Sequence, residues 1–86
     1  MDQERKSLSS DERLVVQAVI GLQGCCIELP RPYTLELIAS LAGIGKRRVQ
    51  RGLRNLQLLA VLSDDPEEAL KRVEALEPLA WKPVEI

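Results

Sequence analysis

Lys46, Arg47, Arg48, Arg51 and Arg54 place five of the chain's twelve basic residues within nine positions, with no acid among them. Projected on a helix at about 100° per residue, with Val49 as the inward direction, Arg47, Arg51 and Arg54 cluster on the outer side. Arg48 and Asn55 flank one edge of that cluster and Gln50 the other. The chemistry open to such a set is recognition rather than reaction. A guanidinium fork pairs bidentately with guanine, a carboxamide pairs with adenine, and both groups also hydrogen-bond phosphate. A solvated face is the ordinary explanation of a charge run, but the placement argues against it here. Lys46, Arg47 and Arg48 open the expected helix, where the macrodipole is positive and cations are disfavoured by about 0.3–1 kcal/mol each. Cations in a position unfavourable to the fold point to an anionic partner.

Little else in the chain could do chemistry. There is no histidine, no nucleophile paired with a base and no phosphate-cradling glycine loop, so an enzyme is not expected. The adjacent Cys25 and Cys26 fall short of the four ligands of a structural zinc site and make a poor disulfide framework. They read as small apolar residues at a helix end, and neither a metal nor a cofactor is expected.

The elements that must position the basic set follow from local signals. Ser9-Ser10-Asp11-Glu12 is a capping box and opens a helix to about Gln23, with Leu14, Val15, Ala18, Val19 and Leu22 as its main stripe. Val16 and Ile20 lie outside that stripe, so this helix is apolar over more of its circumference than a surface helix requires. Pro30 and Pro32 exclude helix from the stretch Cys25 to Tyr33, where Ile27 to Leu29 reads as a short extended segment. Thr34 caps a second helix, Leu35 to Ala42, with Leu35, Ile38, Ala39, Leu41 and Ala42 mostly inward. Gly43-Ile44-Gly45 is a tight turn, and a third helix spans 46–59 with Val49, Leu53, Leu56 and Ala60 as its buried stripe. Val61 to Ser63 reads as a strand. Asp65-Pro66-Glu67-Glu68 announces a fourth helix, 66–77, with Ala69, Leu70, Val73 and Leu76 apolar and Pro78 ending it. Leu79 to Ile86 reads as extended.

The run Thr34-Leu-Glu-Leu-Ile-Ala-Ser-Leu-Ala-Gly-Ile-Gly-Lys-Arg-Arg-Val-Gln-Arg-Gly-Leu resembles the winged helix-turn-helix family of prokaryotic DNA-binding proteins. Ala39 matches the small residue at the helix crossing and Gly43 the turn glycine. Ile38, Ala42, Ile44 and Val49 match the apolar positions that lock the pair. Three positions depart from the pattern: Gly45 stands where Ser or Thr usually caps, Ala60 where Gly usually ends the third helix, and an acidic helix interrupts the two wing strands. The resemblance implies a mainly α (α+β) fold, a three-helix core with a short, atypical wing interrupted by the fourth helix. It implies a tail at 1–8, one domain at 9–86 and the helix-turn-helix at 34–59. It also implies duplex DNA as partner. Arg47, Arg48, Gln50 and Arg51 would contact bases, and Thr34, Lys46, Arg54 and Asn55 phosphates. The expected function is that of a small bacterial, plasmid or phage transcription regulator repressing by occlusion. An interaction module or a plasmid replication or partition factor is the alternative.

Bulk properties constrain these expectations. With 86 residues and 45% apolar content, but no Phe, one Trp and one Tyr, the core must be aliphatic. The net charge of −1 hides a partition, since from Ser63 onward seven acids face three bases. The acidic helix is therefore a candidate surface for a protein partner. Val16 and Ile20 on the first helix, with Leu70 and Val73 on the fourth, exceed what a three-helix core obviously consumes and are the candidate contacts of a homodimer. Trp81 is expected in the core, and Tyr33 either there or near a phosphate. No apolar run approaches the ~18 residues of a membrane span and Met1 to Ser10 is polar, so a cytoplasmic, nucleoid-associated location is expected.

Overall fold

Ser9 caps the first helix as its sequence requires: its hydroxyl accepts from the Glu12 backbone N–H at 3.2 Å, and the Glu12 carboxylate accepts from the Ser9 N–H at 3.1 Å. The computed structural model describes residues 8–24 and 33–81, in which the chain is mainly helical. Four α-helices follow one another, α1 Ser10–Gln23, α2 Leu35–Ala42, α3 Lys46–Asn55 and α4 Glu67–Ala80, with a 3-10 helix at Leu59–Leu62 between the last two. The expectations at Cys25, Cys26 and Ile27 to Leu29, and the extended reading at 82–86, lie outside the described residues.

α1 is the hub. It packs against α2, α3 and α4, which explains why its apolar arc is so wide. Val15, Val16 and Val19 are fully buried and Leu22 nearly so. Leu14, expected in the main stripe, is only partly buried, whereas Val16, expected outside it, is wholly inside. The same packing consumes the fourth helix, whose Val73 is fully buried and whose Leu70 is 9% exposed. The candidate dimer contacts Val16, Leu70 and Val73 therefore belong to the chain's own core, and Ile20 is partly buried against it. The apolar surplus that motivated a second copy at these residues is spent on α1's third neighbour, α4.

The third helix is shorter than expected. It ends at Asn55, and Gln57 takes a left-handed conformation with φ 60°. The Gln57 N–H donates to the Arg54 carbonyl at 3.1 Å and the Leu58 N–H to the Leu53 carbonyl at 2.7 Å, the paired bonds of a Schellman turn. The phase of the sequence accounts for the stop. A helix continued past Leu56 would carry Leu58 to the side of Arg47 and Arg51, whereas the reversal buries Leu58 and Val61 completely. Ala60, expected in the buried stripe, is exposed.

No strand occurs among the described residues. Val61 and Leu62 close the 3-10 helix, and Leu79 and Ala80 belong to α4, which runs through Pro78. Proline removes one helical N–H, but tertiary anchoring holds the last turn. Ala80 is 1% exposed and its carbonyl accepts from Gln17 Nε2 of α1 at 2.8 Å. At the other end the cap lies at Pro66, not Asp65, and makes no side-chain bond. Trp81, expected in the core, is exposed, while Tyr33 is buried at the start of α2.

A left-handed residue with a Cβ costs about 1–2 kcal/mol relative to its ordinary conformation, and glycine escapes most of that strain. Gln57→Gly is therefore expected to raise the unfolding free energy by about 1 kcal/mol, and Gln57→Val to lower it, in urea denaturation. A glycine variant less stable than the parent would contradict the Schellman assignment.

Candidate nucleic-acid interface

Three features set the position of α3, beginning with the turn before it. Thr34 caps α2, its Oγ1 accepting from the Leu37 N–H at 3.1 Å. At the far end Gly43 takes φ 74° and its N–H donates to the Ala39 carbonyl at 2.8 Å. A side chain would strain that left-handed turn. Leu41, expected inward on α2, is instead 54% exposed. Gly45 then caps α3 without any side-chain bond, so its first turn receives no carboxylate or hydroxyl from the cap residue.

The second feature is the seat of α3 on its neighbours. Val49, Leu53 and Leu56 are fully buried, and Gly52 faces α1. A Cβ built at Gly52 would stand 3.1 Å from Val15 Cγ2 and 3.9 Å from the Glu12 Cα. The glycine in the middle of a helix is thus explained by a close crossing. The third feature is a strut at the C-terminal end: Arg72 of α4 donates from Nε to the Leu56 carbonyl at 2.5 Å, satisfying an acceptor that the helix leaves open.

The side of α3 left outward carries Lys46, Arg47, Arg48, Gln50, Arg51, Arg54 and Asn55, all exposed. The structure thus brings the sequence-derived base and phosphate set together on one helix, as the wheel projection implied. Thr34 stands apart at the start of α2, its hydroxyl oxygen already accepting a backbone bond while its proton remains a donor.

Arg48 differs from the rest. Its Nε donates to Asp11 Oδ2 at 3.0 Å and its Nη2 to Asp11 Oδ1 at 2.5 Å, a bidentate pair between α3 and the first turn of α1. The hydrogen bond to Asp11, and then its charge, hold the guanidinium pKa above its ordinary value. The face opposite Val49 thus consists of Arg47, Arg51 and Arg54, with Gln50 on one edge and Asn55 and Arg48 on the other, Arg48 turned to α1. Asp11 is the member of this region that reading α3 alone misses. Its signal was present only as an acid in a helix first turn, where the dipole is reason enough for it.

The chain matches no protein-family model, no curated protein and no solved structure. The cations of α3 are exposed, and among the described residues the ion pair they make is that of Arg48 with Asp11, which suits the others to a polyanion. No aromatic side chain lies on α3, whereas readers of unpaired bases rely on aromatic stacking. No group of His, Cys, Asp and Glu among the described residues could hold a metal ion, and no described helix is long and apolar enough to cross a membrane. The acidic residues of α4, Glu67, Glu68, Glu74 and Glu77, are exposed on a separate element.

The close crossing makes a direct prediction. Gly52→Ala is expected to forgo the ~1 kcal/mol that alanine ordinarily gains over glycine in a helix, because the methyl group meets a buried Val15. Gly52→Val is expected to destabilise by about 1–3 kcal/mol. Thermal melts followed by circular dichroism check both, and a valine variant as stable as the parent contradicts the crossing.

Proposed function

We propose that this chain is a sequence-specific duplex-DNA-binding module that lays α3 in the major groove, with α2 and α3 forming a helix-turn-helix. One observation carries the reading. α3 is buried along Val49, Gly52, Leu53 and Leu56 and exposes on its other side Arg47, Gln50, Arg51 and Arg54, with Lys46 at its start and no acid on the helix. An α-helix fits the major groove, and its N-terminal residues reach base edges in helix-turn-helix proteins. Arg47, Gln50 and Arg51 are the base-reading set. Lys46, Arg54, Asn55 and the Thr34 hydroxyl hold phosphates on either side. Arg48 leaves the base-reading set because Asp11 holds it. The expected β wing forms no part of the proposal, since the 3-10 helix and α4 occupy the chain after α3. A regulator acting by occlusion of its site remains the biological role that suits such a module.

A second reading, docking of a protein on α4, draws on Trp81, 57% exposed at the end of that helix, and on the acids along it. It makes no use of the cations of α3.

Salt separates the two readings. If two to four of the cations neutralise phosphates, affinity for duplex DNA falls by roughly one to two orders of magnitude over a fourfold rise in salt. Fluorescence anisotropy on a site selected from a random pool measures this. Arg51→Ala is expected to cost about 1–3 kcal/mol on the selected site and much less on random duplex. Equal losses on both would make Arg51 a phosphate contact, and no binding even at low salt would sink the DNA reading.

A further inference from the structure

The pair between Arg48 and Asp11 has a consequence for binding that neither helix shows alone. Arg48 lies on the edge of α3 nearest α1, one turn before Gly52, where an added Cβ would stand 3.1 Å from Val15 Cγ2 and 3.9 Å from the Glu12 Cα. The close crossing therefore brings the first turn of α1 alongside the first turn of α3. Asp11 stands in that turn and engages both the Nε and the Nη2 of Arg48. The two side chains are 58% and 31% exposed, Arg48 the more open. The pair is thus at the surface, on the border of the proposed DNA-binding face, and not a buried strut.

We propose that Asp11 withholds Arg48 from the nucleic acid and so sets the strength and salt dependence of binding. This rests on the DNA reading above. Five cations are concentrated in α3, but one of them is neutralised in place by a carboxylate from a different helix. The fork onto Asp11 occupies the Nε and one Nη2 hydrogen of Arg48 and neutralises its charge, leaving Nη1 and the second Nη2 hydrogen as donors. A phosphate that takes the remaining donors meets a pair of no net charge and brings a polyanion beside the Asp11 carboxylate, where it is repelled. The working set of cations is therefore Lys46, Arg47, Arg51 and Arg54. A fifth free cation would add affinity for every duplex alike, because phosphate contacts carry no sequence information. By holding Arg48, Asp11 keeps that sequence-independent contribution down without altering the base-reading residues.

The test is a pair of variants read by the salt dependence of duplex binding. Asp11→Asn removes the carboxylate, frees Arg48, and keeps the Ser9–Glu12 capping box of α1. It is expected to steepen the plot of log affinity against log salt by about one contact, a further factor of about 3.5 over a fourfold change in salt. Affinity for selected and random duplexes should rise together. Asp11→Asn combined with Arg48→Gln replaces a neutral pair by a neutral pair, and is expected to return both the slope and the affinity to those of the parent. A double variant whose slope is shallower than the parent's by one contact would show that Arg48 already touches DNA and would overturn the proposal. So would an Asp11→Asn variant with unchanged slope and affinity. Circular dichroism melts establish that both variants fold. The arms also separate the two claims: if the parent binds no duplex at low salt, the DNA reading itself fails, whereas a binding parent with either contrary slope removes only the role of Asp11.

Discussion

Where α3 crosses α1, the Gly52 backbone lies against Val15 and the Glu12 Cα so closely that a single methyl group would stand 3.1 Å from Val15 Cγ2. Most of what distinguishes this small structure depends on that approach. It lets Val49 and Leu53 reach full burial on one side of a helix whose other side is almost wholly charged. It also brings the first turns of the two helices together, so that Asp11 meets Arg48. A larger residue at position 52 would move α3 outward, loosening the core and separating that pair at once. The glycine trades intrinsic helix stability, about 1 kcal/mol, for contact between two helices.

α1 makes the crossing possible because it serves three neighbours instead of one. Its valines fill the space among α2, α3 and α4 with short, stiff side chains, in a protein that has almost no aromatic volume to offer. Such a core tolerates little change, since interiors are close-packed and each methyl group is felt. The fourth helix is then a structural partner as well as an acidic surface. Val73 completes the core, and Arg72 reaches across to the last turn of α3 to occupy the Leu56 carbonyl. α3 is consequently held near both ends by side chains from other helices, Asp11 at its start and Arg72 at its finish. A helix so held presents its exposed residues in a fixed orientation, which is what recognition of base edges needs.

The electrostatics have a similar logic. First-turn cations oppose the macrodipole, and Gly45 offers no side-chain cap to compensate. The fold tolerates this because Val49, Leu53 and Leu56 anchor the helix by burial. Hydrophobic packing of each such residue contributes about 1.5–3 kcal/mol, more than the few tenths to one kcal/mol at stake per misplaced charge. The buried side of α3 thus holds in place an outer side whose first-turn charges do not favour the helix itself.

Local chemistry made much of this legible in the sequence. The capping box at Ser9, the cap at Thr34, the left-handed glycine at Gly43 and the phase of Val49 against Arg47, Arg51 and Arg54 are short-range facts. Each depends on residues within one or two turns, so the sequence alone determined three helix starts, the turn and the composition of the basic face. Periodicity carried α3 too far, because Ala60 keeps phase with Val49 and Leu56, and the reversal at Gln57 follows from the burial of Leu58 and Val61 against the rest of the fold. What only the tertiary structure decided are the matters that depend on distant partners. The Gln17 bond to Ala80 and the burial of Ala80 keep α4 helical through Pro78, where local propensity predicts a stop. The contact of α1 with α4 turned Val16 and Val73 from spare surface into core. The α1–α3 crossing, finally, decided that Arg48 faces Asp11, 37 residues away in the chain. Whether a cation is free or paired is set by what packs beside it, and no spacing within α3 contains that.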